Sequence, residues 1–407
     1  MIRIIGVGDD GHASLPAAYW DYIQSADILV GGERQLASVP ASNAERIVLK
    51  SGIKATIESL LPRRNENIVV LASGDPLFYG VAGLVAKVAG KDHVQVLPNL
   101  SSIQLAFARI KESWQDAKLL SLHGRSIKGF AQQIDGVKKA AILTDEENSP
   151  DRIARYLLDF GFTEYEATVL EHLGGKKERI LSGSLTEIAE QRFASLNVMI
   201  LMRKGSSPYY PLGIPDDLFA QRKPDRGLIT KREVRTVSLS SLALREDSIV
   251  WDIGAGTGSV GIEAARIARK GAVYAIEKNE GDVQNILENM KRFRTDITVV
   301  HGKAPDGLDQ WPDPDAVFIG GSGGELRELI SLLAKRLKPD GRIVINAATI
   351  ENLHTAYTGL KEEGFSVDVT QIQINRSKPI LDMTRFEAHN PVYILTAFRT
   401  NDESHDS

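Results

Sequence analysis

The chain has 407 residues, of which 43% are hydrophobic and 25% are charged. This is the composition of a globular protein, and the length exceeds the ~100–150 residues of a typical domain, so we expect two or three domains. The formal net charge of −4 lacks the positive field that nucleic-acid and acidic-membrane partners require. The chain has no cysteine, which excludes disulfides, thiolate zinc sites and cysteine nucleophiles.

Nothing in the sequence predicts export, membrane insertion or metal binding. The chain runs from Met1 into a short apolar stretch and glycines, without the basic and apolar regions of a signal peptide. No apolar stretch approaches the ~18 residues of a membrane span. The eight histidines never lie within four positions of each other, which disfavours a metal site. We therefore expect a soluble cytoplasmic protein that binds no nucleic acid, membrane or metal.

Short apolar runs alternate with helical patterns along the chain, which predicts an α/β fold with largely parallel sheets. Two segments show the apolar stripe of a helix that packs on a sheet. The stripes comprise Val283, Ile286, Leu287 and Met290, and Leu326, Leu329, Ile330 and Leu333. The runs of strand length are 3–7, 68–72, 94–97, 118–122, 140–143, 167–170, 198–202, 248–253, 273–276, 297–300, 316–319, 342–345 and 392–397.

Four polar or glycine-rich turns follow apolar runs in the first half of the chain. They are Ile4–Gly11, Leu71–Gly80, Pro98–Ser102 and Leu120–Arg125. In this order they resemble the tetrapyrrole methylase family, whose class III fold binds S-adenosylmethionine between two α/β lobes. The resemblance spans about residues 1–200. It implies that the cofactor is bound by Gly6, Gly8, Gly74, Asp75, Ser101 and Ser102.

The first half departs from that family at two turns. Asp9 and Asp10 stand in the first turn, where glycine-proline-glycine is commoner. Asn99 stands where many relatives have glycine. Asparagine is the residue that best replaces glycine in the left-handed conformation, so we expect the second turn to be kept.

Residues 205–229 contain Gly205, Pro208, Pro211, Pro215 and Pro224 and show no hydrophobic periodicity. This pattern predicts a linker between a first domain over residues 1–204 and a second over residues 230–400. The polar residues 401–407 are predicted to form a flexible tail.

A glycine-rich turn, Asp252–Gly258, follows an apolar run in the second half. Glycines let a cofactor lie against the backbone, and Glu277, which ends the next run, can accept the hydroxyl hydrogens of a ribose. The overlapping residues 256–261 also match the GxGxxG pattern of a dinucleotide site. Asp252 favours S-adenosylmethionine, because a carboxylate repels a pyrophosphate but attracts a cationic methionine group. A packing turn without a ligand is disfavoured, since three glycines cost stability.

A second glycine-rich turn, Gly320–Gly324, matches the GxSxG pattern of serine hydrolases. His354 and His389 follow it, but nothing in the sequence places them near Ser322, and a hydrolase would leave the Asp252 turn without a role. We therefore interpret Ser322 as lining the mouth of the methyl-donor cleft.

Four elements of the second half occur in the order found in the decarboxylating precorrin methyltransferase domain, which they resemble. They are Gly227–Arg235, Asp252–Gly258, Ala304-Pro305 and Gly320–Leu326. The resemblance implies a class I, Rossmann-like fold over most of residues 210–400. The cofactor contacts that it implies are Thr230, Asp252, Gly254, Ala255, Gly256, Thr257, Gly258, Glu277 and Ala304. Lys303 stands where members of this family often have an acidic residue.

The fusion of the two domains in this order resembles the family of decarboxylating precorrin-6Y C5,15-methyltransferases of cobalamin biosynthesis. The resemblance implies a homo-oligomer that binds S-adenosylmethionine at two sites, one per domain, and acts on a precorrin or cobalt-precorrin. The N-terminal domain would methylate C5, and the C-terminal domain would methylate C15 and promote decarboxylation of the C12 acetate. A methyltransferase pair for another tetrapyrrole and a non-enzymatic sensor of S-adenosylmethionine are the alternatives.

A substrate with many carboxylates needs cationic partners, and arginine can bind a carboxylate through two hydrogen bonds. The candidates are Lys231, Arg232, Arg235, Arg376, Lys378 and Arg385. Among the second-half residues we expect Arg376 and Ser322 to face the substrate.

Overall fold

The structure is a computed structural model that describes the chain except for residues 12, 14, 41, 51, 223–228 and 400–407. The tail predicted over residues 401–407 and part of the predicted linker lie outside the described residues. The chain divides into two compact units. The first unit is Met1–Ser126, Lys138–Arg155 and Thr163–Gly205, and the second is Ile127–Val137, Tyr156–Phe162 and Ser206–Ser407.

The first unit begins with a parallel sheet of five strands. They are β1 (Ile2–Val7), β2 (Ile28–Gly31), β3 (Glu45–Val48), β4 (Ile68–Ser73) and β5 (Val94–Leu97), in the spatial order β3-β2-β4-β1-β5. Neighbouring residues of β1, such as Ile4 and Ile5, are both fully buried, so the strand is covered on both faces. A strand covered in this way appears in the sequence as an unbroken apolar run.

The first unit also contains a second sheet of five strands, in the spatial order β6-β7-β10-β8-β9. They are β6 (Lys118–Ser121), β7 (Lys139–Leu143), β8 (Tyr165–Glu171), β9 (Arg179–Ser184) and β10 (Asn197–Arg203). β6 and β7 are parallel, and the other pairs are antiparallel. The prediction of largely parallel sheets is therefore wrong here, because antiparallel neighbours such as β8 and β9 need no crossover helix.

The helices in the first half of the chain are α1 (Ala17–Gln24), α2 (Glu33–Ala37), α3 (Ile53–Leu60), α4 (Ala82–Ala89), α5 (Ser102–Ile110), α6 (Phe130–Ile134), α7 (Pro150–Asp159) and α8 (Leu185–Ala189). A capping box fixes the start of α5. The Gln104 N–H donates to Ser101 Oγ over 3.2 Å, and the Ser101 N–H donates to Gln104 Oε1 over 2.9 Å. The turn before α5 is thus held by its own side chains.

The second unit contains a sheet of seven strands, in the spatial order β13-β12-β11-β14-β15-β19-β16. The strands of this unit are β11 (Ile249–Ile253), β12 (Ala272–Glu277), β13 (Thr298–His301), β14 (Ala316–Ile319), β15 (Arg342–Ala347), β16 (Ser366–Ile372), β17 (Asn375–Ile380), β18 (Met383–Ala388) and β19 (Val392–Phe398). β11 to β15 pair in parallel, and β19 is antiparallel to β15 and β16. β17 and β18 form a separate hairpin.

The helices of this unit include α9 (Arg232–Ser241), α10 (Ser259–Ile267), α11 (Glu280–Arg292), α12 (Leu326–Arg336) and α13 (Ile350–Glu362). The stripe predicted for α12 is confirmed, since all four of its residues are buried. In α11 the stripe holds except at Leu287, which is 40% exposed. None of the helices in the described part of the chain combines the length and hydropathy needed to cross a membrane.

The described part of the predicted linker is packed rather than free. Ile214 and Phe219 are buried in the core of the second unit. The Gly213 and Ile214 N–H groups donate to the two carboxylate oxygens of Glu263, and Ala220 exchanges two hydrogen bonds with the Asn289 side chain. The linker interpretation is therefore wrong for this stretch, whose irregular backbone is satisfied by buried polar side chains.

Backbone segments come unusually close where β1 and β4 end. A Cβ atom on Gly6 would lie 1.7 Å from the Gly74 carbonyl oxygen and 2.8 Å from the Asn99 nitrogen. Real Cβ atoms essentially never approach a backbone atom within 3.0 Å. The turns after β1, β4 and β5 can therefore meet only while residue 6 has no side chain.

We expect Gly6→Ala to lower the stability of the first unit by more than about 2 kcal/mol, because the added methyl group overpacks against backbone that cannot rotate away. Gly83→Ala is the matched control, since a Cβ on this helical glycine meets nothing within 4 Å, and it should stabilise by about 0.5–1 kcal/mol. Calorimetric unfolding of the full chain measures both effects. Equal melting of the Gly6→Ala variant and the wild type would contradict the close contact.

Candidate active site

The first unit contains a cavity of about 630 Å³ at the carboxyl ends of β1 and β4. This volume suits a ligand of drug or cofactor size. Five of the six residues predicted to bind the cofactor in this half line the cavity: Gly8, Gly74, Asp75, Ser101 and Ser102. Gly6 is not among the lining residues and lies against the Gly74 backbone. The cofactor contacts themselves stay predictions.

A polar group on the cavity wall was not predicted from the sequence. Arg34 and Gln35, at the start of α2, both donate hydrogen bonds to Ser73 Oγ, over 2.9 Å and 2.7 Å. Arg34 also lies 3.7 Å from a carboxylate oxygen of Asp9. All four residues line the cavity. The short strand β2 and helix α2 carry no motif, so no local signal identified these side chains.

The turn after β6 brings His123 and Arg125 to the same cavity. His123 Nδ1 lies 3.1 Å from the Thr144 carbonyl oxygen. The buried side chain of Asn148 stabilises the turn, because its Nδ2 donates to the Leu122 and Arg125 carbonyl oxygens over 2.8 Å and 2.9 Å. The sequence placed this turn in a family motif but assigned it no role.

In the second unit, the glycine turn follows β11 as predicted and is built on the end of β12. The Gly254 and Ala255 N–H groups both donate to the Ile276 carbonyl oxygen. The Gly256 N–H donates to Glu277 Oε2 over 2.9 Å, and Glu277 Oε1 accepts from the Asn279 N–H over 2.9 Å. Glu277 therefore stabilises the turn directly, and each carboxylate oxygen keeps capacity for a further donor such as a ribose hydroxyl.

Asp252 lies underneath this turn, with only 1% of its surface exposed. Its Oδ2 accepts the Gly261 N–H over 2.8 Å, at the start of α10. Its Oδ1 is buried without a hydrogen-bond partner. Burial raises the pKa of Asp252 to about 7, opposed by the Gly261 N–H and reinforced by the negative charge of Glu277. A cationic group bound at the turn would favour the charged form of this carboxyl.

The turn after β14 meets the turn after β11. A Cβ on Gly254 would lie 2.3 Å from the Gly321 carbonyl oxygen. These two neighbouring strands lie where the chain order of the parallel sheet reverses, the position at which open α/β sheets bind ligands. The structure therefore brings the Asp252–Gly258 and Gly320–Gly324 turns together at the carboxyl ends of β11 and β14.

Ser322 lies in the second of these turns and is partly exposed. Its carbonyl oxygen accepts the Glu325 N–H over 3.2 Å. Within the described part of the chain, no histidine nitrogen lies within hydrogen-bond distance of its hydroxyl, and His354 is exposed on α13. The geometry that a serine nucleophile requires is therefore not formed. That Ser322 faces the substrate stays a prediction.

The remaining predicted contacts lie elsewhere in the second unit or in the glycine turn itself. Ala304 is buried after β13, and Thr257 is buried in the glycine turn with an unpartnered hydroxyl. Thr230 precedes α9, and its carbonyl oxygen accepts from Arg235 Nη1 over 2.6 Å. Their contacts with a cofactor stay predictions. Among the described residues, no group of three histidine, aspartate or glutamate side chains is arranged as metal ligands.

The prediction that Arg235 binds the substrate is wrong. Its side chain is fully buried and forms ion pairs with Glu263 and Asp216. Arg376 joins this cluster, because it pairs with Asp216 and Glu233 and lowers the pKa of Glu233 to about 2. A substrate carboxylate would have to displace these partners, so substrate binding by Arg376 stays a prediction.

Both halves of the chain are similar to known protein families. Residues 1–189 match the family described as tetrapyrrole (corrin/porphyrin) methylases, and residues 222–399 match the precorrin methyltransferase domain. A precorrin-6Y C(5,15)-methyltransferase [decarboxylating] of Sinorhizobium sp. is 34% identical over 399 residues, which cover 96% of this chain and 94% of that protein. The chain belongs to this family of decarboxylating precorrin-6Y C5,15-methyltransferases. It is an S-adenosylmethionine-dependent methyltransferase with two α/β domains, as the sequence predicted.

Shorter relatives of the precorrin-6Y C5,15-methyltransferases match about half of the chain. A probable cobalt-precorrin-6B C(15)-methyltransferase (decarboxylating) of Pyrobaculum calidifontis is 40% identical and covers 47% of this chain and 98% of that protein. A solved precorrin-6Y C5,15-methyltransferase from Geobacter metallireducens is 46% identical, with a TM-score of 0.45, and covers 47% of this chain and 100% of that chain. Membership of the family overturns the dinucleotide and serine-hydrolase interpretations of the two glycine-rich turns.

We expect Asp252→Asn to change how stability depends on pH. The raised pKa of Asp252 means that, between about pH 4 and 7, the folded chain holds a proton that the unfolded chain has released. The contribution of Asp252 to stability therefore falls as pH rises through this window, by up to about 1.4 kcal/mol per pH unit. Asparagine is neutral and can still accept the Gly261 N–H. The free energy of unfolding of Asp252→Asn, relative to that of the wild type, should therefore increase with pH.

Denaturant unfolding at several pH values between 4 and 7 measures this difference. Asp340→Asn, at an exposed position of the same domain, is the matched control and should follow the wild type at every pH. Parallel curves for Asp252→Asn and wild type would show that Asp252 holds no extra proton.

Proposed function

We propose that the chain methylates C5 and C15 of a precorrin or cobalt-precorrin and promotes decarboxylation of its C12 acetate, with one S-adenosylmethionine bound in each domain. The observation that carries the proposal is that each unit gathers glycine-rich turns at the carboxyl ends of its parallel strands. In the first unit these turns line the cavity at the ends of β1 and β4, and in the second the turns after β11 and β14 meet. The full-length relative of Sinorhizobium supports the pairing of these reactions.

The division of labour follows the two families that the chain matches. We assign C5 methylation to the tetrapyrrole methylase domain over residues 1–204, and C15 methylation with decarboxylation to the class I domain over residues 230–400. Half-length relatives support the separation, since a cobalt-precorrin-7 C(5)-methyltransferase of Salmonella typhimurium, 36% identical over 180 residues, carries one of these reactions in its name.

The chain's own residues have three tasks in this chemistry. S-adenosylmethionine supplies an activated methyl group when bound, so the protein must chiefly align a ring carbon with that methyl group. In the second domain, the left-handed glycines Gly254, Gly256 and Gly258 open the backbone to the cofactor. The unpartnered Oδ1 of Asp252 offers a negative charge to a cation. The conjugated macrocycle itself can take up the electron pair that decarboxylation releases.

The proposal is tested by mass spectrometry of the product formed from a precorrin precursor and S-adenosylmethionine with deuterated methyl groups. The wild type should add two labelled methyl groups and release carbon dioxide. Gly254→Val should abolish decarboxylation, because valine at a left-handed position is strained and would clash with the Gly321 carbonyl.

Gly74→Val is the reciprocal variant, since Gly74 is left-handed in the other domain. It should retain decarboxylation and lose one methyl group. Loss of decarboxylation in Gly74→Val as complete as in Gly254→Val would contradict the assignment of the reactions to separate domains. The homo-oligomer and the cytoplasmic location stay predictions.

A further inference from the structure

We propose that Nε2 of His123 accepts the proton that is released when the N-terminal domain methylates its ring carbon. The inference rests on the proposed function, because it requires that the cavity of about 630 Å³ is the site of that methyl transfer. It adds a catalytic group to a domain in which the family resemblance implies only cofactor contacts.

The balance of the reaction requires a proton acceptor. A bond forms between the ring carbon and the methyl group, the carbon–sulfur bond breaks, and its electron pair stays on sulfur as the sulfonium becomes a neutral thioether. The ring exchanges one hydrogen for a methyl group, so one proton must leave the macrocycle. A base within reach of the ring can accept this proton in the transition state and pass it to water.

The tautomer of His123 is set by its hydrogen bond. Nδ1 lies 3.1 Å from the Thr144 carbonyl oxygen, and a carbonyl oxygen can only accept, so Nδ1 carries the hydrogen. In the neutral ring, Nε2 therefore holds the lone pair. Nε2 has no hydrogen-bond partner among the residues that the structure describes, and His123 lines the cavity.

The imidazole is held in place by the turn and by the strand ends beneath it. The Gly124 N–H donates to Asp145 Oδ2 over 2.6 Å, while Asn148 binds the carbonyl oxygens on either side. Thr144 is itself anchored, since its hydroxyl donates to Asn197 Oδ1 over 2.7 Å. A base that is positioned by such a network needs little reorganisation to accept a proton.

The carboxylates that line the cavity already form ion pairs or hydrogen bonds with other protein groups. Asp9 lies within ion-pair distance of Arg34 and His172, and Asp75 Oδ1 accepts the Leu77 N–H over 2.9 Å. Arg125, Tyr79 and Arg34 also line the cavity, and Asp145 interacts electrostatically with His123. Arg125 lies over the Tyr79 ring, and an arginine cannot accept a proton. His123 is thus the cavity-lining group whose free nitrogen suits the task.

The test uses the full-length enzyme with S-adenosylmethionine and a precorrin precursor, and it measures each methyl transfer separately by mass spectrometry. We expect His123→Gln to slow the methyl transfer that is not coupled to decarboxylation by at least about 100-fold. The decarboxylating transfer in the same chain should proceed at the wild-type rate and serves as the internal control. His93→Gln, at an exposed site of the same domain, should leave both transfers unchanged.

Two further readouts separate a proton acceptor from a structural residue. The affinity of His123→Gln for S-adenosylhomocysteine should stay within about threefold of wild type. Added imidazole should restore part of the lost rate in His123→Ala.

The inference is overturned if His123→Gln transfers both methyl groups at rates within threefold of wild type, or if its loss of rate accompanies an equal loss of S-adenosylhomocysteine affinity. Failure of the proposed function would look different, since the wild type itself would then add no methyl group to the precursor.

Discussion

Both domains depend on one constraint, which is a backbone contact that tolerates no side chain. In the first domain Gly6 meets the Gly74 carbonyl oxygen, and in the second Gly254 meets the Gly321 carbonyl oxygen. Each contact joins the end of a central parallel strand to the turn after its neighbour. A Cβ at either position would separate the turns, and the polar groups they carry would lose their common site. In both folds, glycine at the end of a parallel strand allows the backbone of two neighbouring turns to come into contact.

Buried polar side chains then hold the turns that these contacts bring together. Glu277 accepts the backbone N–H of Gly256 in the glycine turn of the second domain, and Asn148 holds the His123 turn of the first. Irregular backbone cannot satisfy its own donors and acceptors as a helix or a sheet does. Such side chains therefore determine the shape of the site without necessarily touching a ligand.

Sequence patterns identified most of the strands that are buried on both faces, although not β2, and the elements that carry glycine turns. β14 matches the predicted run, residues 316–319, because a parallel core strand appears as a continuous apolar stretch. β18 escaped prediction, since all of its residues are exposed and no apolar run marks it, and β3 carries only the short apolar pair Ile47 and Val48. The predicted linker failed for a related reason, because its few buried residues are not periodic.

The site was predictable only where residues that act together are also close in sequence. The Asp252–Gly258 turn can be recognised from a short stretch of sequence. The wall of the first cavity instead combines Arg34, His123 and Asn197, which come from strands and turns that are far apart in the sequence. Arg235 shows the opposite error, since a charge that seemed available for substrate is buried against Glu263. Pairing of this kind depends on tertiary contacts that no local motif records.

We propose that this single chain holds two independent cofactor sites. Isothermal titration of the full-length wild-type protein with S-adenosylhomocysteine measures this directly, because the product of methyl transfer needs no precorrin to bind. The account predicts two molecules bound per chain. Saturation at one molecule per chain, or an absence of binding, would contradict it.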